Sequence, residues 1–228
     1  MTPSRSSPAK PLVILNFHGV GPLLRELESG ELDCWLSADH FGQILDSTKG
    51  RAEVQITFDD GNESDVRVAL PALLHRGLKA TFFVCSERMD RPTFLGKGQL
   101  KELQKSGMRI GSHGLAHRSW RRLNSTELQA EVSESRQALQ DLCQTDVSEA
   151  ACPFGEYDRR VLSALHTAGY TRVFTSDGGW TSSASWLSAR NTMRQTSHVD
   201  EVAQLISTKP SLISWTSSSL RQAIKRLR

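Results

Sequence analysis

Short apolar runs alternate with stretches of helical spacing along nearly the whole chain, and this alternation restricts the fold more than any other feature. Residues 12–17, 54–58, 80–85, 109–112, 150–152 and 170–175 read as short strands. Between them lie helical patterns. Ser37 precedes Phe41, Ile44 and Leu45 as a cap. Val66, Ala69, Leu70 and Leu73 follow at helical spacing, with Pro71 predicting a kink or a restart and Gly77 a stop. A short helix over 100–106 stops at Gly107. Asn124 and Glu127 form a capping box for a helix through Leu139 and Cys143, and another helix carries Val161, Leu162 and Leu165. Strand–helix alternation of this kind predicts an α/β fold with a mostly parallel sheet, open or closed into a barrel.

At 228 residues, with 38% hydrophobic side chains, the chain can bury one sizeable core. There is no internal repeat or low-complexity linker, so residues 11–228 read as one domain behind a frayed tail, 1–10. A net charge of +3 gives no basic stripe for nucleic acid. Cys34, Cys85, Cys143 and Cys152 are scattered without a C-x-x-C pair and read as reduced, buried thiols. The apolar run at the start is too short for a signal-peptide core, so cytoplasmic residence is the expectation.

Three segments that follow strands carry chemistry. The strand 54–58 runs into Asp59-Asp60-Gly61. Adjacent carboxylates at a strand's carboxyl end call for a cation, although Asp-Gly is also a strong turn dipeptide. After the strand 109–112 come His113 and His117, four residues apart. Two imidazoles and one carboxylate make a catalytic zinc set that leaves positions open for water and substrate. A pair of histidines in a polar surface loop is the plainer alternative. After 150–152 comes Pro153-Phe154-Gly155, a tight turn able to point N–H groups into a site.

In order and spacing these segments resemble the motifs of the polysaccharide deacetylase family, also called the NodB-homology family or carbohydrate esterase family 4, over residues 12–195. The resemblance implies an irregular (β/α) barrel. It also implies removal of acetyl groups from N-acetylated sugars in a polysaccharide, an oligosaccharide or a lipid-linked precursor, as in exopolysaccharide biosynthesis. Asp60, His113 and His117 would hold one divalent ion, with zinc the first candidate. That ion would polarise the acetamide carbonyl and activate water. Asp59 would act as general base, and the backbone N–H of Phe154 would hold the oxyanion.

The chain departs from the family pattern in three places. Arg118 follows His117 where proline is usual, a change expected to alter only the loop. Ala151 occupies the place of the third-motif arginine, and Arg190 is the candidate replacement, with a surface arginine the alternative. The C-terminal histidine that supplies the general acid is absent. His18, after the first strand, is the candidate acid, with His198 a weaker one; this placement resembles the poly-N-acetylglucosamine deacetylase branch of the family. Asp177 is a candidate stand-in for the fourth motif, and Trp180 or Trp186 for an apolar wall against the acetyl methyl. Leu220, Ala223, Ile224 and Leu227, with basic residues between them, predict a final amphipathic helix. It would pack on the barrel or dock weakly on the inner membrane surface. Two other readings stay open: a non-catalytic carbohydrate-binding relative, and an amidase of the same fold acting on a small non-sugar amide.

Overall fold

The computed structural model describes residues 9–208 and Lys225. Among the described residues, nine strands form one sheet: β1 (Pro11–Phe17), β2 (Val54–Phe58), β3 (Ala80–Val84), β4 (Arg109–Ser112), β5 (Glu149–Ala151), β6 (Arg172–Thr175), β7 (Trp180–Ser182), β8 (Leu187–Ala189) and β9 (Asn191–Thr192). Their order is β7-β1-β2-β3-β4-β5-β6-β8, with β9 also on β1. The pairings are parallel except β7 on β1. Because β7 and β8 lie beside each other, the sheet curls into a nearly closed, irregular barrel of eight strands.

Helices α1 (Ala38–Ser47), α2 (Leu70–His75), α3 (Lys97–Lys105), α4 (Ser125–Cys143) and α5 (Arg159–Thr167) cross between successive parallel strands, and α6 (Val199–Ser207) packs beside α1. Their starts follow the sequence. Ser37 accepts from His40 N–H, Asp158 accepts from Val161 N–H, and Asn124 exchanges side-chain bonds with Glu127. Pro71 does not break its helix. Residues Asp65–Ala69 form one wide π turn, and the α-helical turns begin at Leu70, which places Pro71 in the first turn where no N–H is required.

Strand alternation sorts the side chains into two faces. Val13, Leu15, Phe17, Ile56, Phe58 and Phe82 point outward into the main core beneath the helices, where the rings of Phe58 and Phe82 stack 4.6 Å apart. Ile14, Phe83, Ala151 and Phe174 point inward and form a separate apolar layer. On one side of that layer Arg172 bonds Gln55 and Ser188 across the sheet. On the other side, toward the carboxyl ends of the strands, lie Asn16, Thr57, Asp59 and Arg190.

β2 and β4 match the sequence expectation end to end, the other strand and helix ends shift by up to three residues, and the short β7, β8 and β9 were not delimited by it. The correction for Trp180 follows from them. It lies in β7 opposite Val13 and is buried in the main core, so it offers no wall to the site. Trp186 stacks on His166 at 3.7 Å and donates to Tyr170 O, also away from the site. The expected amphipathic helix lies outside the described residues, apart from Lys225. No helix among the described residues is long and apolar enough to cross a membrane.

Candidate active site

The carboxyl ends of β1, β2, β4 and β5 bring the sequence candidates to one cleft. His18, Asp59, Asp60, His113, His117 and Phe154 all line it, in a cavity of about 350 Å³. Three of these residues have positive φ without being glycine: Asp60 at 77°, His117 at 57° and Phe154 at 58°. Left-handed backbone at such residues persists only where the surroundings impose it, and it gathers at functional sites.

Asp60 leaves β2 in this conformation, and Gly61, with φ 73°, continues the turn. The carboxylate faces two imidazoles, its Oδ1 lying 3.2 Å from His117 Nε2 and 3.6 Å from His113 Nε2. One ligand atom from each of Asp60, His113 and His117 lies within 4.8 Å of the other two. Buried Oδ1 makes no hydrogen bond among the described residues. An unsatisfied buried oxygen facing two imidazole nitrogens is the donor set a divalent cation completes.

Burial opposes the charged form of both histidines, with different outcomes. At His113 it dominates and pushes the imidazole down to about 4, so the ring is neutral and fit to ligate. At His117 the carboxylates of Asp60 and Glu28 outweigh burial and raise it. His113 Nδ1 lies 2.9 Å from Ala151 O, a contact that fixes the ring with Nε2 toward Asp60.

The loop carrying these histidines is held from behind. Ser135 Oγ donates to Gly114 O, and buried Glu131 accepts from Leu115 N–H at 2.8 Å. Gly114 has φ 83°, and a Cβ there would stand 2.5 Å from Glu131 Oε2, so glycine is required twice over. Sequence reading missed Glu131 and Ser135, which sit on a helix among other polar residues and show no local signal.

Asp59 occupies a different environment. Its Oδ1 and Oδ2 accept from Arg190 Nη1 and Nη2, each at 2.7 Å, in a two-pronged pair. Asn16 Nδ2 donates to Oδ2 at 3.0 Å, while Asn16 Oδ1 accepts from Arg190 Nη1 and Thr57 Oγ1. Arg190 is fully buried and lies over the rings of Phe83 and Phe174. Burial alone would raise the Asp59 carboxyl. The Arg190 guanidinium and the neighbouring imidazoles reverse that and hold it well below the usual carboxylate range. Buried Asp65 forms no ion pair among the described residues, and burial together with the charges of Asp60 and Asp59 pushes its carboxyl well up.

His18 lies beside Asp59, with Nε2 4.0 Å from Oδ2. Phe154 stands at the mouth with its ring 4.5 Å from His117. His198 precedes α6 and does not line the cleft. Asp177 is buried; it accepts from Tyr157 and Thr175 hydroxyls, and Lys225 Nζ lies 2.6 Å from it. Asn16 was the residue least visible in the sequence, a polar side chain inside an apolar run with partners 43 and 174 positions away.

Comparison with known proteins agrees with this geometry. The chain is 29% identical over 126 residues to YxkH of Bacillus subtilis (strain 168), provisionally named a polysaccharide deacetylase, a match covering 55% of this chain and 45% of that one. It is 24% identical over 135 residues to the chitooligosaccharide deacetylase of Azorhizobium caulinodans, covering 58% and 62%. The matched regions therefore span less than two thirds of either relative. In fold, the chain superposes on the Streptococcus pyogenes deacetylase PplD, in complex with acetate, with TM-score 0.76 and 20% identity over 88% of this chain and 100% of that one. IcaB from Ammonifex degensii gives TM-score 0.74 and 22% identity over 86% and 97%. The polysaccharide deacetylase family pattern itself matches residues 46–173, more than half of the sequence. The chain belongs to the polysaccharide deacetylase family.

Proposed function

We propose that this protein is a divalent-metal-dependent N-deacetylase of N-acetylated carbohydrate, and that Asp60, His113 and His117 hold the ion. The observation that carries the reading is the contrast between two adjacent carboxylates. Asp60 points an unsatisfied oxygen at two imidazoles, while Asp59 is gripped by Arg190 and Asn16 beside them. One carboxylate suits a ligand and the other a base. A divalent cation at this site supplies Lewis-acid polarisation of the acetamide carbonyl and acidifies water, with zinc the first candidate.

The residues of the chain do the rest. Asp59, kept ionised by Arg190, accepts the proton of the attacking water. The Phe154 N–H, at a turn its positive φ holds open, stabilises the oxyanion. His18 protonates the departing amine, so that C–N cleavage releases acetate and a free amino sugar. Arg190 takes the orienting role at a third motif where Ala151 stands, and His18 takes the role of the acid. Histidine after the first strand also favours the poly-N-acetylglucosamine branch as the substrate class.

Acetate release by purified, zinc-loaded protein tests this across chitooligosaccharides, poly-N-acetylglucosamine fragments and small non-sugar amides. Release from the N-acetylglucosamine acceptors is expected. Release from the small amides alone, or sugar binding without acetate, would replace the reading with one of its two alternatives.

A further inference from the structure

The loop between β1 and α1 reaches over the candidate metal cluster, and one of its side chains meets a proposed ligand from the far side. Glu28 Oε2 lies 3.5 Å from His117 Nδ1, while His117 Nε2 faces Asp60 at 3.2 Å. An imidazole that gives Nε2 to a cation carries its proton on Nδ1, and that buried N–H needs an acceptor. His113 has one in Ala151 O at 2.9 Å. His117 Nδ1 is buried and makes no hydrogen bond of good geometry among the described residues, and 3.5 Å is the outer limit for one. Glu28 is the carboxylate that stands there.

Glu28 is placed by the loop's own anchors. Arg88, nearly buried, pairs with Glu28 and lies 5.2 Å from the Phe94 ring. Arg25 lies 4.8 Å from the same ring, pairs with Glu31 and donates to Asn62, two residues beyond Asp60. The loop is thus tied to the protein through Arg88 and through Asn62, and Glu28 brings it onto His117.

We infer that Glu28 is a positioning residue for His117, and that through it metal binding fixes the loop over residues 21–34. The inference rests on the metal assignment proposed above. Glu28 accepts the hydrogen bond of the Nδ1–H, sets the tautomer that leaves Nε2 free, and holds the ring in line with Asp60 and His113.

The test is the Zn2+ dissociation constant of the full chain, measured by competition with a chromophoric chelator, together with backbone amide exchange over residues 21–34 with and without Zn2+. Glu28→Ala should weaken Zn2+ binding roughly 10- to 100-fold. Glu28→Gln, which keeps an acceptor oxygen, should recover part of the loss. Leu24→Ser, at an exposed position of the same loop, should leave the constant unchanged. Zn2+ should slow exchange in the loop of the wild type and not in Glu28→Ala. A Glu28→Ala constant within twofold of wild type, or a wild-type loop whose exchange ignores Zn2+, overturns the inference while the metal assignment stands. A wild type that takes up no Zn2+ overturns both.

Discussion

Asp59 and Asp60 are neighbours in sequence, yet the fold gives them opposite surroundings, and the residue-scale predictions follow from that division. Arg190 is the two-pronged partner of Asp59, through two 2.7 Å contacts. Arg190→Met should cost about 3–5 kcal/mol of stability, because it strands a buried carboxylate. The sign with pH is fixed by the lowered Asp59 pKa. Its contribution to stability is present above the unfolded carboxylate range and disappears as pH falls through the folded value. Without Arg190, burial prevails and the Asp59 pKa rises, so the acid limb of kcat/KM should move to higher pH. Pairing by denaturant melts and pH–rate profiles checks both effects; an unmoved acid limb would remove Asp59 from the base role. His18→Ala should keep its metal and lose most of kcat, with the alkaline limb of the profile. Near-normal kcat with that limb intact would exclude His18 as the acid. The sequence exposed the two aspartates and the two histidines because their motifs are local. Asn16 was hidden because its role exists only once β1, β2 and the residue after β8 come together.

Helices and loops determine how firmly the two histidines are presented. The His113–His117 loop hangs on α4 through Glu131 and Ser135, a support made of a buried carboxylate accepting a backbone N–H. Glu131→Ala should cost about 1–3 kcal/mol by orphaning the Leu115 N–H. It should also weaken metal binding, since His117 would lose its imposed left-handed backbone. Chemical denaturation and metal titration of this variant read the two effects, and an unchanged metal affinity would show that the loop holds itself. At this scale the long elements were legible in the sequence, because α1, α4 and α5 carry side-chain caps and an apolar face. The strands β7, β8 and β9 were not. Two or three residues are too few for a period to register, and their apolar positions, Trp180 among them, look like isolated surface residues until the barrel closes. That is why Trp180 read as a substrate wall and is instead part of the core.

For the whole molecule, the proposed ligands follow β2 and β4, which β3 separates in the sheet, so a cation bound there links the ends of two non-adjacent strands. A ligand that binds only the folded state at a hundred times its Kd contributes about 2.7 kcal/mol. For a chain of this size that corresponds to a rise in Tm of roughly 5–11 °C. Calorimetry of chelator-treated protein with and without added Zn2+ reads it, and a Tm indifferent to Zn2+ would oppose a preformed site. The most direct test of the central claim joins metal to turnover. Acetate release from an N-acetylated chitooligosaccharide should be followed for the protein as purified, after chelation and after reloading with Zn2+, beside Asp59→Asn and His113→Ala with their metal content measured. Activity should vanish on chelation and return on reloading. Asp59→Asn should hold its metal and release no acetate, and His113→Ala should lose both. Acetate release that survives chelation, or a His113→Ala protein that keeps full metal occupancy and full activity, would contradict the account.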